Sequence, residues 1–391
     1  MTADFRIVVL PGDGIGPEVM QACLAVLAAL ERAVGGFRLG YEQHPGGAQC
    51  YADTGVAFPD SAMRAAREAD AILFGAMGLP HVRYPDGTEI APQLDLRDAL
   101  DLYAGVRPIR AIAGAPLPLA DARAASIDFV IVREQTEGWF YGRLRPDAVP
   151  PATDDEAYDL GRITRAGASR LFEFSFALAA RRRARNPAKG RVTCVDKANV
   201  HRAMALMNRV FWEVAARHPG LPADHCYVDA MALNLVRRPW DYDVLATENQ
   251  FGDILSDLGA ALVGGMGMAP SADIGDAHAL FQPSHGSAPD IAGQGKANPT
   301  AMLLSAAMML DWLGTRHRVP ALGEAAARLE AAVDRVFAAR RVRPFEFGGT
   351  DGTAAIARAV IDALAGDEVA ASAPPAARAA SATSAGGGDA R

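Results

Sequence analysis

The sequence predicts an α/β fold, and three observations carry that expectation. Short, continuous apolar runs such as Ile7-Val-Val-Leu10 and Ala71-Ile-Leu-Phe74 stop at glycine or proline, as buried strands do on entering a turn. Longer alanine-rich segments of helical character separate them, so strand and helix alternate along the N-terminal part. The chain has 391 residues, half of them apolar, which suffices for two domains or one large divided one.

The first strand ends at Pro11-Gly12 and feeds the turn Gly12-Asp-Gly-Ile-Gly16, after which Pro17 and Glu18 open a helix to about Ala33. Proline suits a first helical turn, where an N–H would have no partner, and glutamate suits the positive end of the dipole. The spacing is G-x-G-x-G, not G-x-G-x-x-G, so this loop alone does not define a Rossmann unit. A strand over 37–42, a turn at Gly46-Gly47, a helix over 61–68 and a strand over 71–74 continue the alternation. Residues 78–92 read as loop and 94–102 as helix, and a strand from Ile127 to Val132 delivers Arg133 at its end. Residues 138–161 carry Trp139-Phe-Tyr141, then prolines and acids, and read as an arm for a partner subunit. A helix over 166–185 precedes a strand over 191–195, which delivers Asp196-Lys197-Ala-Asn199; a helix over 201–216 and a strand at Val244-Leu245 follow. Pro283 to Gly293 is too rich in glycine and proline for a regular element. A helix opened by Asn298-Pro299 and running to Leu313, then helices over 321–339 and 353–364, complete the fold. The tail over 366–391 has almost no large apolar residues and is expected to be disordered, because it cannot offset the entropy of ordering.

The chemistry concentrates in Asn249-Gln-Phe-Gly-Asp-Ile-Leu-Ser-Asp257. Asp253 and Asp257 are four residues apart, so on a helix both carboxylates leave the same face one turn apart. Such a pair repels itself unless a cation lies between, and oxygen-only ligands suit Mg²⁺ or Mn²⁺ rather than zinc. An isolated D-x-x-x-D is ordinarily a solvated helix edge. Here Phe251-Gly252 ahead, the apolar Ala260 to Val263 behind, and Gly264-Gly-Met-Gly267 closing the segment predict a buried helix with an acidic end. Asp229 is a third candidate ligand. Arg97, Arg107 and Arg133 singly read as surface or salt-bridge residues; together, in front of this site, they form a pocket for an anionic substrate, since guanidinium binds carboxylate through two parallel bonds. Lys197 is either a base whose pKa is lowered by its setting or a solvent lysine, and its tetrapeptide leaves both open. A loop of this length holding His285 and Asp290 is of the kind that carries function in compact α/β proteins.

Composition narrows the classes. A net charge of −7 and a pI near 5.7 argue against nucleic acid as a partner, and the basic run Arg181-Arg-Arg-Ala-Arg185 sits where a helix C-terminus favours cations. Four cysteines without C-x-x-C spacing suggest neither a disulfide framework nor a zinc site. There is no signal-peptide pattern, and no run approaches the roughly 18 apolar residues of a membrane span. A cytoplasmic protein with no membrane partner is expected.

With these pieces in view, residues 5 to 365 resemble the isocitrate/isopropylmalate dehydrogenase family, the metal-dependent β-decarboxylating dehydrogenases that include tartrate and D-malate dehydrogenases. The motifs are Leu10-Pro-Gly-Asp-Gly-Ile-Gly-Pro17, Leu96-Arg97 with Arg107-Pro108, Val132-Arg-Glu-Gln-Thr-Glu-Gly138, Asp196-Lys-Ala-Asn199, Asn249 to Asp257, and His285 to Gly293 with Asn298-Pro299. The resemblance implies a two-domain α/β fold on a large mixed sheet flanked by helices, unlike a Rossmann domain. Residues 1–102 and 264–365 would form the first, NAD-binding domain, and 103–263 the second, with the metal site and the arm. It implies a homodimer with shared sites, Lys197 and Asp229 reaching across to the neighbour's metal pocket. Arg97, Arg107 and Arg133 would hold a dicarboxylic 2-hydroxy acid, Asp229, Asp253 and Asp257 would bind Mg²⁺ or Mn²⁺, and Lys197 would take the hydroxyl proton. The loop through His285, Gly286, Ser287, Ala288, Asp290 and Ile291, with Asn298, would hold the cofactor. Asp290 disfavours a 2′-phosphate and Ile291 brings no cation, so NAD is preferred over NADP.

The chain departs from the family at informative places. The tyrosine that usually follows the arginine of the V-R-E motif by seven residues, and protonates the enol carbon, is replaced by Phe140. Tyr141 or water would then supply that proton, or the step is absent, in which case a non-catalytic protein that binds NAD and a dicarboxylate is the contrasting reading. Gln282 stands where a glutamate often precedes Pro283. Substrate choice would rest on Glu89 to Leu94: Gln93, beside Leu94, favours a smaller or more polar substituent than isopropyl and so suits tartrate or malate analogues. The expected activity is oxidation, with decarboxylation, of a 3-substituted (2R)-malate, isopropylmalate being the named family substrate.

Overall fold

In the computed structural model, which describes residues 2–372, the chain opens with β1 (Ala3–Gly12) and α1 (Gly16–Val34). Val19, Met20, Cys23, Val26, Leu27 and Leu30 make one buried stripe along α1 at helical spacing. β2 (Phe37–Gln43), α2 (Ala48–Thr54), α3 (Asp60–Glu68) and β3 (Ala71–Ala76) follow, and all of β3 is buried, as in a strand covered on both faces. α4 (Pro92–Ala99) carries Arg97 and leads to β4 (Ala104–Arg110) and β5 (Asp128–Glu134).

The middle of the chain supplies α5 (Tyr141–Leu144), α6 (Arg165–Arg185), β6 (Val192–Asp196), α7 (Arg202–Ala215), β7 (Ala223–Tyr227), α8 (Val228–Arg237), β8 (Val244–Thr247) and α9 (Asn249–Leu262). β9 (Pro270–Ile274) and β10 (Ala279–Pro283) return to the first strands, and α10 (Thr300–His317), α11 (Pro320–Ala338) and α12 (Thr353–Ser372) close the fold.

Ten strands join in one sheet, ordered β2-β1-β3-β10-β9-β4-β5-β8-β6-β7. The central pairings β10–β9, β9–β4 and β4–β5 are antiparallel and the remainder parallel, so the sheet is mixed. Strands from the two ends of the sequence occupy one side and β4 to β8 the other. The seam is the short β9–β4 ladder, where Ala104, Gly105 and Val106 face Ile274, Asp273 and Ala272. Pro108 lies beyond that ladder, paired with β5 alone, which is where a strand tolerates a residue without an N–H.

Three expectations are corrected. α9 is amphipathic rather than buried: Leu255, Ser256, Gly259 and Ala260 face inward while Ile254 is 57% exposed and both aspartates face outward. It lies close on the sheet because a Cβ at Gly252 would stand 2.6 Å from Arg133, and one at Gly259 2.9 Å from Ile109. Strands β4, β7, β9 and β10 have no counterpart in the sequence reading, since arginine, proline or aspartate interrupts each one's apolar pattern. The tail does not begin at Gly366: α12 continues to Ser372 through Asp367-Glu-Val-Ala-Ala371, alanine and glutamate being good helix formers. Residues 373–391 lie outside the described residues. The segment over 138–161 holds the single turn α5, a short 3₁₀ turn at Pro146–Ala148, and a bridge from Gly138 to Arg162 at its base.

Candidate active site

A cavity of about 320 Å³ opens at the seam, lined by Gln93, Leu94, Arg97, Arg107, Arg133, Phe140, Asp253, Asp257, Gln282 and His285 among others. Residues far apart in sequence meet here because β10, β9, β4 and β5 are consecutive strands in the middle of the sheet, with α4 and α9 beside them. The three arginines are buried, at 4–6% exposure. Arg133 donates from Nε and Nη2 to Asn249 Oδ1 at 3.0 and 2.8 Å, and from Nη1 to Asp253. Burial and the neighbouring Arg97 lower its pKa to about 10, which still leaves it a cation at neutral pH. Burial, then the charge of Asp253, raises the carboxyl of Asp257 above the ordinary range.

These two carboxylates fit a hard divalent ion. Both line the cavity, their donors are all oxygen, and the strain between them is the kind that a cation relieves. Asp229 is not brought to them within the chain: it is ion-paired with Lys197, neither residue lines the cavity, and among the described residues no group of three His, Cys, Asp or Glu suited to a metal forms. Tyr141 is also elsewhere. Its hydroxyl accepts a bond from Arg162 Nη1 at 3.1 Å, and its ring lies under that guanidinium. The backbone enters α5 at residue 141, turning Tyr141 away and leaving Phe140 on the cavity wall.

The loop expected to hold a cofactor is anchored to the first turn of the chain. Ile15 N–H donates to Ser287 O at 2.8 Å, and Ser287 Oγ donates to Gly78 O. Gly14 makes this contact possible, since at φ +57° a Cβ there would stand 1.9 Å from Ser287 O. The G-x-G-x-G turn therefore packs against this loop. His285 donates from Nδ1 to Gly286 O at 2.9 Å, and burial lowers its pKa, so the neutral ring keeps an unpartnered, buried acceptor at Nε2. Ala288 holds the left-handed conformation, and Gly286 and Asp290 are exposed. An orphaned acceptor and an exposed carboxylate on a braced loop fit a polar cofactor. Asn298 differs: its Oδ1 accepts from Thr300 and its Nδ2 donates to Glu346, so its side chain is already engaged.

Two residues have roles that the sequence reading did not assign. Asn249 braces Arg133, and Asp273 binds Arg97 and Arg107 from behind the cavity. The available signal for Asp273 was a lone acid within Pro270-Ser-Ala-Asp-Ile274, where a buried charge calls for a partner.

A buried arginine cluster facing paired carboxylates on a mixed sheet defines a site for small acidic substrates. Comparison with known proteins agrees. Residues 6–364 match the family model for isocitrate/isopropylmalate dehydrogenase. A 3-isopropylmalate dehydrogenase of Moorella thermoacetica is 42% identical over 343 residues, 85% of this chain and 91% of the relative. A probable tartrate dehydrogenase/decarboxylase of Agrobacterium vitis is 37% identical over 373 residues, covering 94% and 99%. The crystal structure of isocitrate dehydrogenase from Methylococcus capsulatus superposes with a TM-score of 0.80 at 34% identity, over 92% of this chain and 99% of that one. The chain belongs to the isocitrate/isopropylmalate dehydrogenase family and is a decarboxylating dehydrogenase.

Proposed function

We propose that this enzyme oxidises a 3-substituted (2R)-malate with NAD in the presence of Mg²⁺ or Mn²⁺, as a cytoplasmic homodimer whose two sites are each built from both subunits. The observation that carries this reading is the cavity in which Arg97, Arg107 and Arg133 face Asp253 and Asp257. Its two walls would belong to the domains 1–102 with 264–365 and 103–263, meeting at the β9–β4 seam.

The arginines bind and orient the substrate's carboxylates. Arg133 is held by Asn249 and is paired with Asp253, so a cation at Asp253 would free Nη1 for a substrate carboxylate. That cation, bound by Asp253 and Asp257 and by Asp229 of a second copy, would lower the pKa of the 2-hydroxyl and offset the charge left as CO₂ departs. Lys197 would take the hydroxyl proton at Nζ, and NAD, when bound by the loop through His285 and Asp290, would supply the hydride acceptor for C2. Phe140 covers one side of the cavity and has no proton to return to the carbon. Asp290 on the exposed loop is suited to ribose hydroxyls and disfavours a 2′-phosphate.

Sharing between subunits is supported by the pairing of Lys197 with Asp229 outside the chain's own cavity. It is supported too by large apolar side chains left in water on the same elements: Val200, Leu233, Val236 and Ile254 are 49–63% exposed. A second reading within this class, a tartrate-like substrate, is favoured by Gln93, whose Oε1 is buried without a partner although Gln93 lines the cavity. A substituent bearing a hydroxyl would satisfy it and an isopropyl group would not. NADH formation with Mn²⁺ on D-malate, tartrate, 3-methylmalate and 3-isopropylmalate tests both; no turnover of any of them defeats the proposal.

A further inference from the structure

Behind the substrate-facing arginines lies a carboxylate to which no role has been attached. Asp273, on β9, is fully buried, and all four of its acceptor positions are used. Oδ1 accepts from Arg107 Nη1 and Nη2, both at 3.1 Å; Oδ2 accepts from Arg97 Nε at 2.9 Å and from Gln282 Nε2 at 2.8 Å. Asp273 does not line the cavity, whereas Arg97, Arg107 and Gln282 do. Burial alone would raise the carboxyl, but the two guanidinium charges outweigh it and hold its pKa at about 2. The aspartate is therefore an anion throughout the working range.

Two consequences follow from the bond directions. Asp273 takes the Nε side of Arg97, so the Nη1 and Nη2 edge, which has no hydrogen-bond partner among the described residues, is left for the cavity. That edge is a two-pronged donor matched to one carboxylate. Two guanidinium charges also share one carboxylate, so a single net positive charge is presented instead of two. Gln282 has to be neutral in this arrangement, because a carboxylate at 2.8 Å from Asp273 would force one of the two to keep its proton.

We propose that Asp273 is a positioning residue that turns Arg97 and Arg107 toward the substrate and sets their joint charge to match one substrate carboxylate, and that Gln282 is an amide because it donates to that aspartate. This rests on the proposed function only in taking the ligand to be a diacid. Asp273 stands diagonally across the β9–β10 ladder from Gln282, so the anion of this pair is on β9 and the amide that donates to it is on β10.

The test uses the full-length enzyme and D-malate as probe, reading KM, kcat and calorimetric binding. Asp273→Asn is expected to raise KM on the order of tenfold or more with a smaller change in kcat, and the exchange Asp273→Asn/Gln282→Glu to recover most of that loss. Gln282→Glu alone should make KM rise with pH, as the shared proton leaves and the net positive charge disappears, where the parent enzyme is flat. Should Asp273→Asn fail to fold, the pH profile of Gln282→Glu decides, and a flat profile overturns the proposal. An unchanged KM in Asp273→Asn, or an exchange variant no better than the single one, also overturns it. If the parent enzyme binds no diacid, the proposed function fails, and crystal structures of the variants then decide: displaced Arg97 and Arg107 in Asp273→Asn that return in the exchange variant sustain the positioning role, and arginines that keep their places refute it.

Discussion

The guanidinium of Arg133 lies over the ring of Phe140, 5.2 Å from its centroid. The residue at 140 is thus in direct contact with an arginine proposed to bind the substrate, on the cavity wall, and presents a π-face where a phenol would present a hydroxyl. Oxidation and departure of CO₂ need nothing from this position. Reprotonation of the carbon is the step that a proton donor here would serve.

Phe140→Tyr is accordingly expected to increase decarboxylated product relative to NADH. Quantifying both from one reaction checks it, and an unchanged ratio would show that the proton arrives by another route, such as water. Tyr141→Phe should leave the ratio unaltered, because its hydroxyl is bonded to Arg162 outside the cavity.

Shared sites predict complementation. Lys197→Ala and Asp253→Asn should each be nearly inactive as homodimers, since every site then lacks one group. In a mixed dimer one site carries both defects and the other carries neither, so random reassortment of equal amounts should restore about a quarter of the parent activity by symmetry alone. Continued inactivity after dissociation and reassembly would place Lys197 and Asp253 in the same subunit's site.

Ile254→Arg places a charge on an exposed apolar position one residue from Asp253. Sedimentation should show monomer, with activity lost, whereas a dimer of parent stability would mean that this face is not the interface.

Stability should carry the mark of Glu134, next to Arg133 at the end of β5. Burial raises its carboxyl from 4.5 to about 7, against bonds from Thr136 and Glu137 that favour the anion. A raised folded-state pKa means that the native state holds the proton more tightly than the unfolded chain. Glu134 therefore favours the native state fully below pH 4.5, and that contribution is lost as pH rises through about 7. Glu134→Gln should flatten the fall in Tm across this interval, and identical slopes in the two proteins would dismiss the effect.

Arg133 is aimed by Asn249, so Asn249→Ala should raise KM for the diacid on the order of tenfold while sparing the fold, as expected for a residue that supports a binding group. Equal losses in KM and Tm would instead point to general destabilisation.

Much of this protein is legible along the chain because its causes are local. The stripe Val19, Met20, Cys23, Val26, Leu27 announces α1 by its period, and the four-residue interval between Asp253 and Asp257 puts both acids on one helical face whatever the remainder of the molecule does. The arginine set and the loop at His285 are readable in the same way, as residue types at strand and helix ends, whereas the Phe140 departure shows only against the pattern of the family that the chain resembles. What could not be read is where local rules point the wrong way. Tyr141 is adjacent to Phe140, yet the turn into α5 alone decides which ring faces the cavity. Asp273 interrupts an apolar strand and so conceals β9, although that buried charge orders the site. Its partners Arg97 and Arg107 lie 176 and 166 residues away in sequence, and no periodicity links such positions. Sequence by itself determined the long helices, the spacing of the acids and the family. Tertiary structure decided which charges meet, because a buried carboxylate is stable only where the fold brings donors from distant elements, here Arg97 on α4, Arg107 on β4 and Gln282 on β10, to its four lone-pair positions.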